Sequence, residues 1–221
     1  MKMISILCLL FYIGVVKANF NISPLSQSIT VKEKSASYTI ENLTDRKAAY
    51  QIHVAKRLLA PAGEEVREPT KELRVFPSKI ILEPNQKKRI KVIYLGKKKL
   101  ALEKSFRVVF MQLDRNVTEN DDEGINAKFN FHTAFYVTPK NAQADIQATI
   151  ENDGKGMILA LKNQGNKHMI LQDWQLKLSS DQSSVVYDQP LPDINLLADT
   201  QIFLPLTRIG RQYHQAEIIL D

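Results

Sequence analysis

The stretch Phe129-Asn130-Phe131-His132-Thr133-Ala134-Phe135-Tyr136-Val137 decides the fold class. Its odd positions carry Phe, Phe, Thr, Phe and Val, and its even positions carry Asn, His, Ala and Tyr. Side chains alternate across a β-strand, so residues two apart share a face. The stretch therefore reads as a strand with one apolar face along its whole length. Beyond Phe131 the second face turns apolar too, with Ala134 and Tyr136, which is the pattern of a strand covered on both sides. The same period recurs at Ala36, Tyr38 and Ile40, at Ile90, Val92 and Tyr94, and at Phe106, Val108 and Phe110. Turn chemistry separates these runs at Asn42 to Lys47, Pro61-Ala62-Gly63 and Glu83-Pro84-Asn85-Gln86. No long amphipathic helical pattern interrupts them, so the chain reads as all-β, built of sandwiches.

A second strand set begins after Thr138-Pro139-Lys140-Asn141, where alternation restarts at Asp145 with Ile146, Ala148 and Ile150. It continues through Met157 to Leu161, Trp174-Leu176-Leu178, Val185 to Tyr187, Gln201 to Leu206 and Ala216 to Leu220. Asn152-Asp153-Gly154 and Asn163-Gln164-Gly165-Asn166 supply its turns. Trp174, the sole tryptophan, alternates with Leu176 and Leu178 and reads as core. The expected division is 1–18 as a signal peptide, 19–140 as a first domain and 141–221 as a second, smaller one. Two domains of about 100 residues each are large enough to hold their own cores.

The amino terminus carries the expectation of export. Lys2 precedes a short apolar run from Ile4 to Val16, and Val16-Lys17-Ala18 fits the small-x-small cleavage rule, placing the mature start at Asn19. The run is short for a bilayer span, which needs about 20 apolar residues, so no membrane insertion is expected after cleavage. Cys8 is the only cysteine and would leave with the signal. A secreted chain without disulfides must rely on core burial. The formal charge of +6 is spread along the chain apart from Lys87-Lys88-Arg89 and Lys97-Lys98-Lys99. Such runs read as solvated edges, and export argues against nucleic acid as a partner. The acidic segment Asn116 to Gly124, with Asp121, Asp122 and Glu123, reads as a loop, since it lacks the ligand spacing of a calcium site.

Catalytic signatures are missing. The sequence contains no glycine-rich phosphate loop, no H-E-x-x-H pair and no G-x-S-x-G elbow. His53, His132, His168 and His214 lack metal-ligand spacing. The expectation is a protein that is not an enzyme and needs no cofactor and no metal.

Several segments together resemble the periplasmic pilus (fimbrial) assembly chaperones of the chaperone-usher pathway, the archaic branch above all. They are Phe20 to Pro24 with Ser28 to Val31, Tyr38 to Asn42, Val75-Phe76-Pro77, Ile81 to Gln86 leading into Lys88 to Tyr94, Ser105 to Phe110, and Phe131 to Pro139. In the second half, Leu159 to Asn166 is similar to the family's "N.GN" turn, and Leu197 to Leu206 to its late strand, with Ala198-Asp199 in place of Pro-Gly. The resemblance implies two immunoglobulin-like β-sandwich domains set at an angle, like a boomerang. It implies a periplasmic chaperone that binds pilus subunits by lending them a β-strand, donor-strand complementation, and delivers them to an outer-membrane usher. It places the donated face at Ile125, Ala127, Phe129 and Phe131; the competing reading is that Phe129 and Phe131 fill the first domain's own core. An exposed apolar edge of this kind invites capping by self-association of the free protein.

The resemblance also implies two basic residues that anchor the subunit's terminal carboxylate between the domains. One position falls at Leu25, Ser26 and Gln27, and the other at Thr133 and Ala134; none is basic. The arginine that archaic members carry slightly earlier falls at Asn130. Arg107, Lys128 and His132 are then the candidate substitutes, against the ordinary reading that a strand-borne cation is solvated. The alternative function is a secreted β-sandwich adhesive or structural pilus component; an enzyme on the same scaffold would need a convergent polar site that the sequence does not show.

Overall fold

The computed structural model describes residues 20–113, 129–152 and 154–220. The expected signal peptide and mature start at Asn19, the whole acidic segment Asn116 to Gly124, and Ile125, Ala127 and Lys128 lie outside these residues. The described residues contain strands and no helix, so none could cross a membrane as a helix.

The described residues of the first half build ten strands: β1 (Phe20–Ser23), β2 (Ser26–Thr30), β3 (Ser35–Asn42), β4 (Ala48–Leu59), β5 (Glu65–Pro69), β6 (Leu73–Phe76), β7 (Lys79–Leu82), β8 (Lys87–Tyr94), β9 (Lys104–Gln112) and β10 (Asn130–Thr138). One sheet has the order β1-β3-β8-β6. The other has the order β2-β10-β9-β4-β5, with β7 also pairing with β4. Alternation does what it should: Tyr38, Ile40, Ile90 and Val92 of the first sheet meet Ile52, Phe106, Phe110 and Phe135 of the second in one buried cluster. Tyr38 and Phe110 bridge the sheets edge-to-face, with centroids 5.9 Å apart. Each such buried side chain contributes roughly 1.5–3 kcal/mol, an upper figure for an extended unfolded reference.

The second half builds β11 (Ile146–Asn152), β12 (Met157–Asn163), β13 (Met169–Leu171), β14 (Gln175–Ser179), β15 (Ser184–Val186), β16 (Ile194–Leu196), β17 (Thr200–Leu206) and β18 (Gln215–Ile219). One sheet runs β15-β14-β18-β11-β12-β17, and β13 pairs with β16. Leu159, Leu161, Leu176, Leu178, Ile202 and the expected Trp174 form a separate core. Trp174 Nε1 donates to the Pro192 carbonyl at 2.9 Å, which satisfies its one polar atom.

The two halves repeat one device. Asn42, fully buried at the end of β3, donates Nδ2 to the carbonyls of Arg46 (2.7 Å) and Glu83 (3.1 Å), while its Oδ1 accepts from the Thr44 amide (3.1 Å) and hydroxyl (2.7 Å). Asn163, fully buried at the end of β12, donates Nδ2 to the carbonyls of Lys167 (2.8 Å) and Leu197 (3.0 Å), and its Oδ1 accepts from the amides of Gly165 (3.0 Å) and Asp145 (3.2 Å). Each asparagine ties its own turn to the end of a distant strand. Two residues beyond Glu83 and Leu197 the chain passes through the left-handed region, at Asn85 (φ 57°) and Asp199 (φ 50°). Asn and Asp tolerate that conformation through local hydrogen bonding, so Ala198-Asp199 makes the bend that Pro-Gly would make.

Contacts join the halves. Thr138 Oγ1 donates to Glu103 Oε2 at 2.8 Å, and the His168 amide donates to Glu103 Oε1 at 3.1 Å, with the His168 ring on the same oxygen. The His168 ring stacks on Tyr136, with centroids 3.8 Å apart and planes 7° apart. Asn195 Nδ2 donates to the Tyr136 hydroxyl at 2.7 Å. The β4–β5 hairpin reaches across as well: the Phe203 amide donates to the Pro61 carbonyl at 2.8 Å, and Leu59 packs on the second core. This explains the apolar second face at Ala134 and Tyr136, both of which are buried.

Candidate functional site

The site lies just beyond the start of β2. β2 pairs in parallel with β10 only over Ser26–Thr30 against Ala134–Thr138. The Ala134 amide donates to the Leu25 carbonyl at 3.0 Å, and upstream of Leu25 the chain crosses to the other sheet, where β1 pairs with β3. Among the described residues, no strand pairs with β10 on that side over Asn130–Thr133. Main-chain polar groups of alternate residues share an edge. The Gln112 amide donates to the Phe129 carbonyl at 3.2 Å on the β9 side, whereas the Ala134 amide faces β2. Asn130 and His132 therefore present their N–H and C=O groups along the open edge. An unpaired edge of this kind is a template for a further strand.

Along this edge an apolar row runs out of the core. Phe135 and Thr133 are fully enclosed, and Thr133 Oγ1 donates to the Val108 carbonyl at 3.1 Å. Phe131 is half-buried against Phe20, with ring centroids 4.0 Å apart. Phe129 follows at 6.4 Å from Phe131 and is 38% exposed. Phe131 packs against the first core while extending the row, and among the described residues Phe129 belongs to no enclosed core.

The other face of the same strands carries a cluster of charge. Arg107 on β9 lies opposite Ala134 of β10. Its Nε donates to Glu65 Oε2 at 2.8 Å, and its Nη2 donates to the same oxygen. Arg67 Nε donates to Glu65 Oε1 at 2.6 Å, and Arg67 Nη1 donates to His132 Nδ1 at 2.8 Å. Arg57 lies across β4–β5 from Arg67 and is only 6% exposed. Its Nε lies 2.8 Å from Glu65 Oε2, an ion pair without hydrogen-bond geometry. A long 3.5 Å contact joins Arg57 Nη1 to the Tyr136 hydroxyl.

Three guanidinium groups thus surround one carboxylate. Burial would raise the Glu65 carboxyl, but hydrogen bonds from Arg107 and Arg67 and the charges of Arg107 and Arg57 outweigh it and bring it down to about 2. Burial lowers the Arg57 guanidinium from its ordinary value, and the Arg107 charge lowers it further. His132 is lowered by burial, then by the charges of Arg67 and Arg107, and so stays neutral and accepts from Arg67.

Of the residues anticipated from sequence, Phe129, Phe131, Arg107 and His132 meet on one stretch of β10 and its neighbour β9, while Ile125, Ala127 and Lys128 lie outside the described residues. Leu25, at one of the expected anchor positions, is 70% exposed, and Asn130 is exposed at the open edge. Arg57, Glu65 and Arg67 were not anticipated. Their signal was the hairpin around Pro61-Ala62-Gly63: extended outward, it sets Arg57 against Arg67, and like charges directly opposite are unfavourable without an acid between them.

Solved structures share this architecture. The chain superposes on the CsuC–CsuE chaperone–tip adhesion subunit pre-assembly complex from the archaic chaperone-usher Csu pili of Acinetobacter baumannii, with TM-score 0.64 and 18% identity over 91% of this chain and 97% of that one. The fold is that of a pilus-assembly chaperone. A chaperone–tip adhesin complex of CFA/I fimbriae biogenesis matches with TM-score 0.63 and 18% identity over 92% of this chain and 95% of that one. The Salmonella enterica SafA pilin–SafB chaperone complex matches with TM-score 0.57 and 13% identity over 84% of each chain. No protein-family model matches the sequence, and no curated protein matches it. At these identities the likeness speaks to the fold alone.

Proposed function

We propose that the protein is a periplasmic chaperone for pilus subunits, exported through a cleaved signal at residues 1–18, with domains at 19–140 and 141–221. It is a binding protein and not an enzyme. The observation that carries this reading is the open edge of β10 beside the apolar row of Phe131 and Phe129. A strand laid along that edge gains main-chain hydrogen bonds from Asn130 and His132, while alternate side chains fill pockets of the client, which is strand addition. Ile125 and Ala127 continue the donated face by sequence parity. The arginine cluster lies on the opposite face of the same strand, so a carboxylate at the client's chain end would meet Arg107 while the client's groove meets Phe129. Lys128 remains a further candidate for that anchor. Hand-over to an outer-membrane usher, and capping of the edge by a second copy when no client is present, complete the proposed cycle.

The test is to co-express the protein with the small secreted proteins of its own cell, purify it from the periplasm, and identify what co-purifies. A stoichiometric partner that aggregates when made alone is the expected result. A partner-free protein, recovered from cells that are making pili, would overturn the proposal and favour a structural component of the surface.

A further inference from the structure

The arginine cluster is under-compensated. Arg57, Arg67 and Arg107 bring three positive charges, and among the described residues Glu65 is the one carboxylate paired with them. Other described acids of these strands and the loops beside them are engaged elsewhere: Glu68 pairs with Lys56, Glu72 with Lys104, and Glu103 with His168. His132 adds no negative charge. A guanidinium buried without full pairing is costly, and Arg57 has a buried Nε without a hydrogen-bond partner. The arrangement therefore has unused capacity for an anion, at the edge of the face that the second half covers.

Glu65 already occupies the best position for one. Two donors of Arg107 converge on its Oε2 while Arg67 holds its Oε1, so both carboxylate oxygens are used. A chain-terminal carboxylate would seek the same donors, because charge-assisted contacts to an arginine fork are the strongest available to it. Glu65 opens β5, directly after the hairpin turn in which the Gly63 amide donates to the Ala60 carbonyl, so its side chain stands on a short edge strand and not in a packed core.

We propose that Glu65 is a resident carboxylate: in the free protein it takes the place of a polypeptide's terminal carboxylate on Arg107 and Arg67, and binding displaces it. The inference rests on the carboxylate-anchor reading above and adds to it a competitor that sets how tightly a client end is held. Glu65 prevents adventitious anions from filling the cluster, and a client gains the site only when strand addition raises the local concentration of its chain end.

The experiment is an NMR titration of the purified protein with N-acetyl-Ala-Phe bearing a free carboxylate, and with the same peptide as its amide. In the wild-type protein the Arg107 and Arg67 Nε–H signals should move with the acid and not with the amide. The Glu65 side-chain carboxyl carbon should move with the same midpoint. Glu65→Gln should bind the acid at least tenfold more tightly. Arginine shifts with a stationary Glu65 carbon, or equal or weaker binding by E65Q, would show Glu65 to be a fixed scaffold and overturn this inference while sparing the anchor. Absence of arginine shifts in both proteins would remove the anchor itself. The wild-type carbon signal decides the matter even if E65Q folds poorly.

Discussion

Replacing Phe129 and Phe131 separately by aspartate distinguishes strand donation from core filling. Phe131 is half-buried and meets Phe20 edge-to-face. Deleting a fully buried phenylalanine costs about 3–5 kcal/mol, so half the burial makes about 2 kcal/mol, and a carboxylate at the mouth of the core adds roughly 1 more. Phe131→Asp should therefore lose about 3 kcal/mol and still fold if the domain starts from the usual 5–15 kcal/mol. Phe129 is 38% exposed and borders no enclosed core, so Phe129→Asp should cost under about 1 kcal/mol. Capture should fail in both, because each removes one apolar side chain from the donated row. Stability is read by urea unfolding, and capture by the soluble yield of the co-expressed client. A Phe129→Asp protein that is stable and captures normally would refute the donor reading. Outright unfolding of Phe131→Asp would make that residue a core element first.

Acid should weaken the arginine cluster in a defined window. The Glu65 carboxyl titrates near 2 in the folded protein, below its ordinary 4.5, so its stabilisation is complete above pH 4.5 and is lost as pH falls from there toward 2. Wild type should lose about 2–3 kcal/mol more than Glu65→Gln across that window, and parallel denaturation curves would contradict this. His132, lowered from its ordinary value, resists protonation in the folded state, so a smaller destabilisation should set in as pH falls below about 6.5 and vanish in His132→Gln. Asn42→Ala and Asn163→Ala each orphan buried carbonyls at a distant strand end, and each should cost about 3 kcal/mol. Hydrogen exchange should place the loss in the first half for Asn42 and in the second for Asn163; a cost under about 1 kcal/mol would show that the turns hold without them.

Period-two alternation made the long strands legible. Tyr38 and Ile40, Ile90 and Val92, and Phe106, Val108 and Phe110 all point into the core as their spacing predicts. Short strands such as β5, β6, β13 and β16 offer too few residues for a period to show. The passage of the first strand from one sheet to the other was equally hidden, because Phe20 to Thr30 reads as one extended segment and the break at Pro24-Leu25 depends on which sheet supplies each partner. Of the site, Phe129, Phe131, Arg107 and His132 were visible because β10 and β9 are long. Arg57 and Glu65 were not, since their nearness is a property of hairpin register and of the side chain of Arg107 arriving from a third strand.

The two chemistries of the site are fixed relative to one another by a single residue. The main chain of His132 faces the open edge, its side chain accepts from Arg67 on one face, and its neighbour Phe131 points to the other. A pleated strand sets these directions without adjustable parts. A client strand added at the edge therefore has its distance to the arginine cluster set by register, and a slip of one residue would exchange the two faces of the added strand. On the proposed reading the cluster would serve as a register mark: only one alignment would bring a chain end to Arg107 while apolar side chains meet Phe129. Moving the charge by one residue, with Arg107→Ala combined with Val108→Arg, would direct the new guanidinium into the core, where Val108 is fully buried, whereas moving it by two, with Arg107→Ala and Val109→Arg, keeps the face at a position that is 9% exposed, from which a long arginine stem can carry its charge outward. The second variant should fold and hold its client in a register shifted by two residues or release it faster, measured by the client's dissociation rate. An unchanged rate would mean that the edge alone sets the alignment.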